Sequence, residues 1–230
     1  MADRNYKKLA IQVGLIVIVL LIIALVLRNI AVGWAPPRDQ YPVQGISVDE
    51  SHGKIVWHVA GATGVDFAYL TATDGAEKRD DSFADNIKGA RDAGVRYGAL
   101  HEYSLCRLAS DQATMFVTTV PRNENMLPPA VRLAYHEKCG ERPGRALVLS
   151  ELNTFLNQIE AHTGKAAVIA VSPSLEADYN LASGINRTFW LEDNFFPPDY
   201  ATKPWVMWRA SDIRRISGVD GPVNWNVVRP

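Results

Sequence analysis

The sequence predicts an α/β protein, a (β/α) barrel carried behind one apolar helix, on three observations. From residue 44 onward, short β-branched or aromatic runs alternate with helical patterns, the pattern of parallel strands joined by helical crossovers. No phosphate-binding glycine fingerprint follows the first strand, which favours a closed barrel over an open sheet. Ahead of these runs, residues 9–27 are apolar except for Gln12 and Gly14.

That first segment sets the compartment. At ~1.5 Å per residue it covers roughly the ~30 Å hydrocarbon core of a bilayer. Arg4, Lys7 and Lys8 precede it and mainly Arg28 follows, so the positive-inside bias places the N-terminus in the cytoplasm and the remainder outside. A cleaved signal sequence is the competing reading, but its apolar core normally spans only ~7 to 15 residues. The expected organisation is a cytoplasmic N-terminus at 1–8, a transmembrane anchor at 9–28, a linker at 29–42 and one barrel domain at 43–230. Pro36 and Pro37 suit an extended spacer. An uncleaved anchor makes the chain a single-pass inner (cytoplasmic) membrane protein with a periplasmic or extracellular domain.

The domain is long enough for one substantial core. With 47% hydrophobic residues and a formal net charge of −1, nothing in the bulk charge points to nucleic acid or to polybasic membrane contact. Its two cysteines, Cys106 and Cys139, read as a disulfide in an exported domain.

Strands are expected at 44–48, 67–73, 97–103, 130–135, 167–171, 189–191 and 205–208. Helices are expected at 82–93, 110–120 and 147–162, with Ser82, Ser110 and Gly144 near their starts and Gly94 and Gly164 just past two ends. In such a barrel the site lies at the C-terminal strand ends. His52, His58, His101, His136 and His162 have no metal-ligand spacing, so no metal and no cofactor is expected. Asn186-Arg187-Thr188 is a glycosylation sequon only in a host that glycosylates.

The strand ends carry a resemblance. Gly45-Ile46-Ser47-Val48-Asp49, followed by Gly53 and Ile55-Val56-Trp57, resembles the opening of the glycoside hydrolase family 25 lysozymes, Gly-Ile-Asp-Val-Ser and on to Ile-Asp-Trp. Phe67-Ala68-Tyr69-Leu70-Thr71-Ala72-Thr73-Asp74-Gly75 resembles that family's Phe-Ala-Tyr-Ile-Lys-Ala-Thr-Glu-Gly strand, and Gly98-Ala99-Leu100-His101 its Gly-Ala-Tyr-His. Gln112-Ala113 with Phe116, Trp205-Val206-Met207-Trp208-Arg209 and Gly218-Val219-Asp220-Gly221-Pro222-Val223-Asn224 continue the match in order. The resemblance implies an irregular (β/α) barrel of the family 25 lysozyme type and activity on peptidoglycan.

Cleaving a glycosidic bond needs one protonated carboxylic acid and a second carboxylate that acts as base, nucleophile or charge stabiliser. At the positions where the family carries acids, this chain has Ser47, Arg132, Ala134 and Asn224, and Thr71, Leu100 and Arg209 depart from the family's Lys, Tyr and Gln. Ala134 transfers no proton, and Arg132 is always cationic. The resemblance therefore implies a pseudoenzyme that binds peptidoglycan glycan or muropeptide, or an envelope protein. Tyr69, His101, Tyr103, Arg132, Trp208 and Arg209 are the expected ligand-binding residues, with His101 also read as a hydrogen-bonded structural residue and Trp205 as a further aromatic face. The arginines suit capture of carboxylates, or Arg132 pairs with Asp193 or Glu102. Two alternatives stand beside this reading. One is a muramidase with residual activity or relocated acids, with Glu102 and Glu137 first and Asp49 and Glu50 also near the rim; the other is a structural subunit of envelope assembly.

Overall fold

The computed structural model describes residues 2–136 and 139–230, with side chains described from residue 11. Glu137, one of the expected substitute acids, lies outside the described residues. The chain divides into two compact units, 1–34 and 35–230.

The first unit is a helix, α1 (Ala2–Gly33). Within it Ile11–Gly33 has a mean hydropathy of 3.0, long and apolar enough to cross a membrane, a property that signal sequences share. The helix begins before and ends beyond the apolar run, because nothing between residues 2 and 33 is a proline.

In the second unit, residues 35–43 fold onto the barrel rather than standing free as a spacer. Gln44 Nε2 donates to Pro36 O at 2.9 Å, and Arg38 donates to Asp66 at 2.9 Å and to the carbonyl of Gly64.

The strands are β1 (Gln44–Val48), β2 (Phe67–Asp74), β3 (Lys78–Arg79), β4 (Arg96–Tyr103), β5 (Ala130–Leu133), β6 (Val168–Val171), β7 (Thr188–Glu192), β8 (Trp205–Arg214) and β9 (Val223–Val228). Outside them lie α2 (Trp57–Ala62), α3 (Phe83–Asp92), α4 (Ala109–Thr119), α5 (Arg145–Thr163), α6 (Pro173–Tyr179) and α7 (Leu181–Gly184). Eight strands close in the order β1-β2-β4-β5-β6-β7-β8-β9, with β9 returning to β1 and β3 attached only to the end of β2. The three long helices fall within two residues of their expected bounds.

The alternation predicts parallel strands, and the barrel pairings from β1 through β8 obey it, while the two-residue β3 pairs antiparallel with the end of β2 outside the barrel. The last strand does not: β9 runs antiparallel to both β8 and β1. Residues 215–222 alone join β8 to β9, too few for the dozen or more that a parallel crossover needs. The sequence reading also stops β8 at Trp208, whereas it runs to Arg214, and carries β5 to Tyr135, whereas it ends at Leu133.

Inside the barrel, Phe67, Tyr69, Leu100, Ala130, Val168, Ala170, Trp190 and Met207 form one apolar cluster. Space for the Tyr69 ring comes from Gly98, where a Cβ would stand 2.7 Å from Tyr69 Cε1. Strand alternation then sends the residues two further along each strand to the C-terminal mouth and their neighbours outward to the helices.

Candidate functional site

The mouth is lined by Ser47 and Asp49 from the first strand and its end, His52 in the turn beyond, Thr71 of β2, Leu100 and Glu102 of β4, Arg132 of β5, Trp190 and Glu192 of β7, Arg209 of β8 and Asn224 of β9. Three of the four positions expected to have lost a family acid, Ser47, Arg132 and Asn224, thus meet in one place. Ala134 stands just past the end of β5 and is not among the lining residues.

Arg132 organises this layer. Its Nε donates to Glu192 Oε1 at 2.6 Å, Nη2 to Glu192 Oε2 at 3.2 Å and Nη1 to Glu102 Oε2 at 3.3 Å. Arg209 Nη1 lies 3.4 Å from Glu192 Oε2, and its Nη2 lies 3.8 Å from Asp212. Burial opposes the charge on Arg132, but the two carboxylates outweigh it and hold the guanidinium cationic. Both arginines expected to offer themselves to ligand carboxylates are thus already matched by protein carboxylates. Of the two expected partners of Arg132, Glu102 is found; the other is Glu192 rather than Asp193, because Glu192 shares the inward face of β7 with Trp190, while Asp193 follows the strand.

Glu192 is itself anchored: its N–H donates to Tyr200 Oη at 2.7 Å, and that hydroxyl donates to Val171 O at 2.7 Å. Burial pushes the Glu102 carboxyl up to about 7 against the pull of Arg132. His136 Nε2 lies 3.9 Å from Glu102 Oε2. Across the mouth, the hydrogen bond with His52 holds the Asp49 carboxyl well below the usual carboxylate range. Asn226 Nδ2 donates to Ser47 Oγ at 2.9 Å.

The space left inside the mouth is ≈ 30 Å³, room for a water or two, whereas small-molecule sites occupy about 300 Å³ or more. Beside it a second hollow of ≈ 140 Å³ is lined by Asp49, Glu50, Asp74, Asp80, Lys78 and Glu102, with Lys78 Nζ 2.6 Å from Glu50. A cavity of ≈ 560 Å³, sharing no lining residue with the mouth, lies between the end of β4 and the start of α5 and includes Cys106, Leu108, Arg142 and Leu147. Cys106 and Cys139 are disulfide-bonded, as expected, and tie the loops after β4 and β5 together.

Four residues expected to face a ligand are enclosed. Tyr69 is 2% exposed and donates to Pro128 O at 3.1 Å, and Trp208 is 1% exposed with its Nε1–H on Asp193 O at 2.8 Å. His101 is fully buried on the outward face of β4, between Thr73 Oγ1 at 2.7 Å and Gln112 Oε1 at 3.2 Å, with Phe155 stacked on its ring at 4.5 Å. Burial pushes this imidazole down to about 3, so it is neutral and structural. Tyr103 shares that outward face, against Phe155, and only its edge reaches the large cavity. Their strand positions are read correctly; rings from α4 and α5 enclose His101 and Tyr103, Tyr41, Trp205 and the Asp193 carbonyl cover Trp208, and cross-barrel packing encloses Tyr69.

The closed eight-stranded barrel with outer helices and a polar mouth at the C-terminal strand ends is matched by solved structures of bacterial glycosyl hydrolases. A family 25 glycosyl hydrolase from Bacillus anthracis superposes with a TM-score of 0.77 at 25% identity, covering 83% of this chain and 90% of that one. The lysozyme from Streptomyces coelicolor gives 0.72 at 26% identity, covering 82% and 92%. Among relatives by sequence, YegX of Escherichia coli is 28% identical over 81% of this chain and 70% of its own length. Lysozyme M1 of Streptomyces globisporus is 28% identical over 83% of this chain and 69% of its own length. The family model of glycosyl hydrolases family 25 matches residues 46–219, and the chain belongs to that family.

Proposed function

We propose that this protein is a family 25 lysozyme-like domain, held at a membrane by its N-terminal helix and facing the cell wall, that binds peptidoglycan without hydrolysing it. The observation that carries the reading is Arg132. It lines the mouth, holds Glu192 and Glu102 as ion-pair partners, and bounds a space of only ≈ 30 Å³.

The missing carboxyls support the same conclusion. Ser47, Arg132, Ala134 and Asn224 supply neither a proton donor nor a carboxylate nucleophile. General acid–base assistance alone is worth about 10²- to 10⁴-fold in rate. The anchor is supported by the apolar segment Ile11–Gly33 and by Arg4, Lys7 and Lys8 ahead of it. Proteolysis of the barrel in intact spheroplasts tests that topology; a domain protected until lysis contradicts it.

A second reading rests on Glu102, whose carboxyl, held near 7 at the mouth, has the value a general acid needs. In that reading Glu102 protonates the leaving oxygen and one of the acids in the adjoining hollow supplies the second carboxylate.

The deciding experiment is release of soluble muropeptides from purified sacculi by the full chain in detergent. The native protein is expected to release none, and to co-sediment with the sacculi. A variant with Ser47→Asp, Arg132→Asp, Ala134→Glu and Asn224→Asp is expected to gain release. Release by the native chain that Glu102→Gln abolishes establishes the second reading; absence of both release and co-sedimentation favours a protein partner in the envelope.

A further inference from the structure

A protein that holds a glycan strand needs a flat apolar face for a sugar ring, and the mouth does not offer one. Tyr69, Tyr103, Trp205 and Trp208 are each at most 9% exposed. Among the described side chains, the aromatic ring that stands clearly exposed is Phe196, at 73%, while the remaining aromatics are buried or half-buried.

Its place and its mounting both draw attention. Phe196 follows Glu192, the inward carboxylate that ends β7, by four positions. The loop runs beside the mouth-side stretch of β8: Asp193 N–H donates to Arg209 O at 3.2 Å and Phe195 N–H to Ala210 O at 2.9 Å. Asn194 clasps Asp212 through both groups of its amide, with Nδ2 donating to the carboxylate at 2.8 Å and Oδ1 accepting from the Asp212 N–H at 3.1 Å. Phe195 sits at φ 71°, a left-handed conformation that bulky residues rarely adopt. On the other side Pro197 and Pro198 restrict the chain, and Trp205 Nε1 donates to Pro198 O at 3.0 Å. The residues on both sides of Phe196 are held by hydrogen bonds, so the exposed ring stands on a loop tied to the Arg209–Ala210 backbone.

We propose that Phe196 is the platform on which a pyranose ring of the wall glycan stacks, at the rim rather than inside the barrel. This rests on the peptidoglycan-binding reading and deepens it. A pyranose presents an axial C–H face that packs on an aromatic ring, and a Phe platform with no polar atom binds any such ring along a repeating strand.

The test is co-sedimentation of the full chain in detergent with purified sacculi, titrated for the native protein, Phe196→Ala, Phe196→Trp and Leu108→Ala. Leu108 is a comparably exposed apolar residue, at 63%, on the wall of the cavity between β4 and α5, which shares no lining residue with the mouth. Phe196→Ala is expected to weaken binding about fivefold to tenfold, Phe196→Trp to match or exceed the native protein, and Leu108→Ala to leave it unchanged. Binding by Phe196→Ala equal to native overturns the platform while leaving glycan binding intact. Failure of the native chain itself to bind overturns the glycan reading, and the platform with it.

Discussion

Arg132 and Glu192 face each other across the barrel mouth as a two-pronged ion pair, Nε to Oε1 at 2.6 Å and Nη2 to Oε2 at 3.2 Å, spanning from β5 over β6 to β7. Ala170, the β6 residue in register with Arg132, leaves the room for this reach. Glu192 is 4% exposed, and both arginines meet it there.

Removing Glu192 leaves the largely buried Arg132 with Glu102 as its remaining carboxylate partner. Glu192→Ala is expected to cost about 3–5 kcal/mol, read from urea midpoints. Adding Arg132→Met to that variant is expected to recover part of the loss, because the guanidinium left with Glu102 alone goes with it. A double variant no more stable than Glu192→Ala alone would show that the pair is incidental.

Neighbouring residues of β4 give opposite pH dependences. Glu102 has a folded value near 7, above its usual 4.5, so the folded state binds the extra proton, and its contribution is complete below about 4.5 and lost as pH rises through 7. His101, at about 3 in the fold against 6.5 ordinarily, contributes above 6.5 and loses that contribution as pH falls towards 3. Glu102→Gln is therefore expected to flatten the decline in melting temperature between pH 4.5 and 7. A carbon-13 titration of Glu102 with its midpoint near 4 would contradict this.

The bond between Cys106 and Cys139 closes a loop with a sequence separation of 33. Reduction, or Cys106→Ser with Cys139→Ser, is expected to lower stability by about 2–4 kcal/mol through the unfolded chain. Differential scanning calorimetry with and without a phosphine reductant measures it, and an unmoved transition counts against a structural role.

Gly98→Ala is expected to destabilise by about 1–3 kcal/mol, since the new methyl meets Tyr69 Cε1 at 2.7 Å and Leu127 Cβ at 3.0 Å. Tyr69→Leu in the same chain should relieve part of that strain. Equal destabilisation with and without Tyr69→Leu, in thermal denaturation, would place the clash elsewhere.

Much of this was legible in the sequence. Helix bounds followed from apolar spacing and from Gly94 and Gly164, both of which take the positive φ that ends a helix. The disulfide followed from two cysteines and an exported domain. The partner of Arg132 was harder to read: sequence nominated Glu102 and Asp193, and a shift of one residue on β7 decides whether a carboxylate faces the barrel or its rim. Phe196 carried only a weak signal, a Phe-Phe-Pro-Pro run after a strand, because exposure is a property of what else packs nearby.

The sequence by itself determined the family, the strand and helix alternation, the apolar N-terminal segment and the absence of carboxyls at Ser47, Arg132, Ala134 and Asn224, because local periodicity and residue chemistry need no partner to be read. Only the tertiary structure decided that β9 closes the barrel antiparallel, that Arg132 is neutralised by Glu192 and Glu102, that Tyr69, His101, Tyr103 and Trp208 are enclosed, and that Phe196 is exposed. Each of those depends on which distant residues the closed sheet brings within a few ångströms, and no separation along the chain encodes that distance.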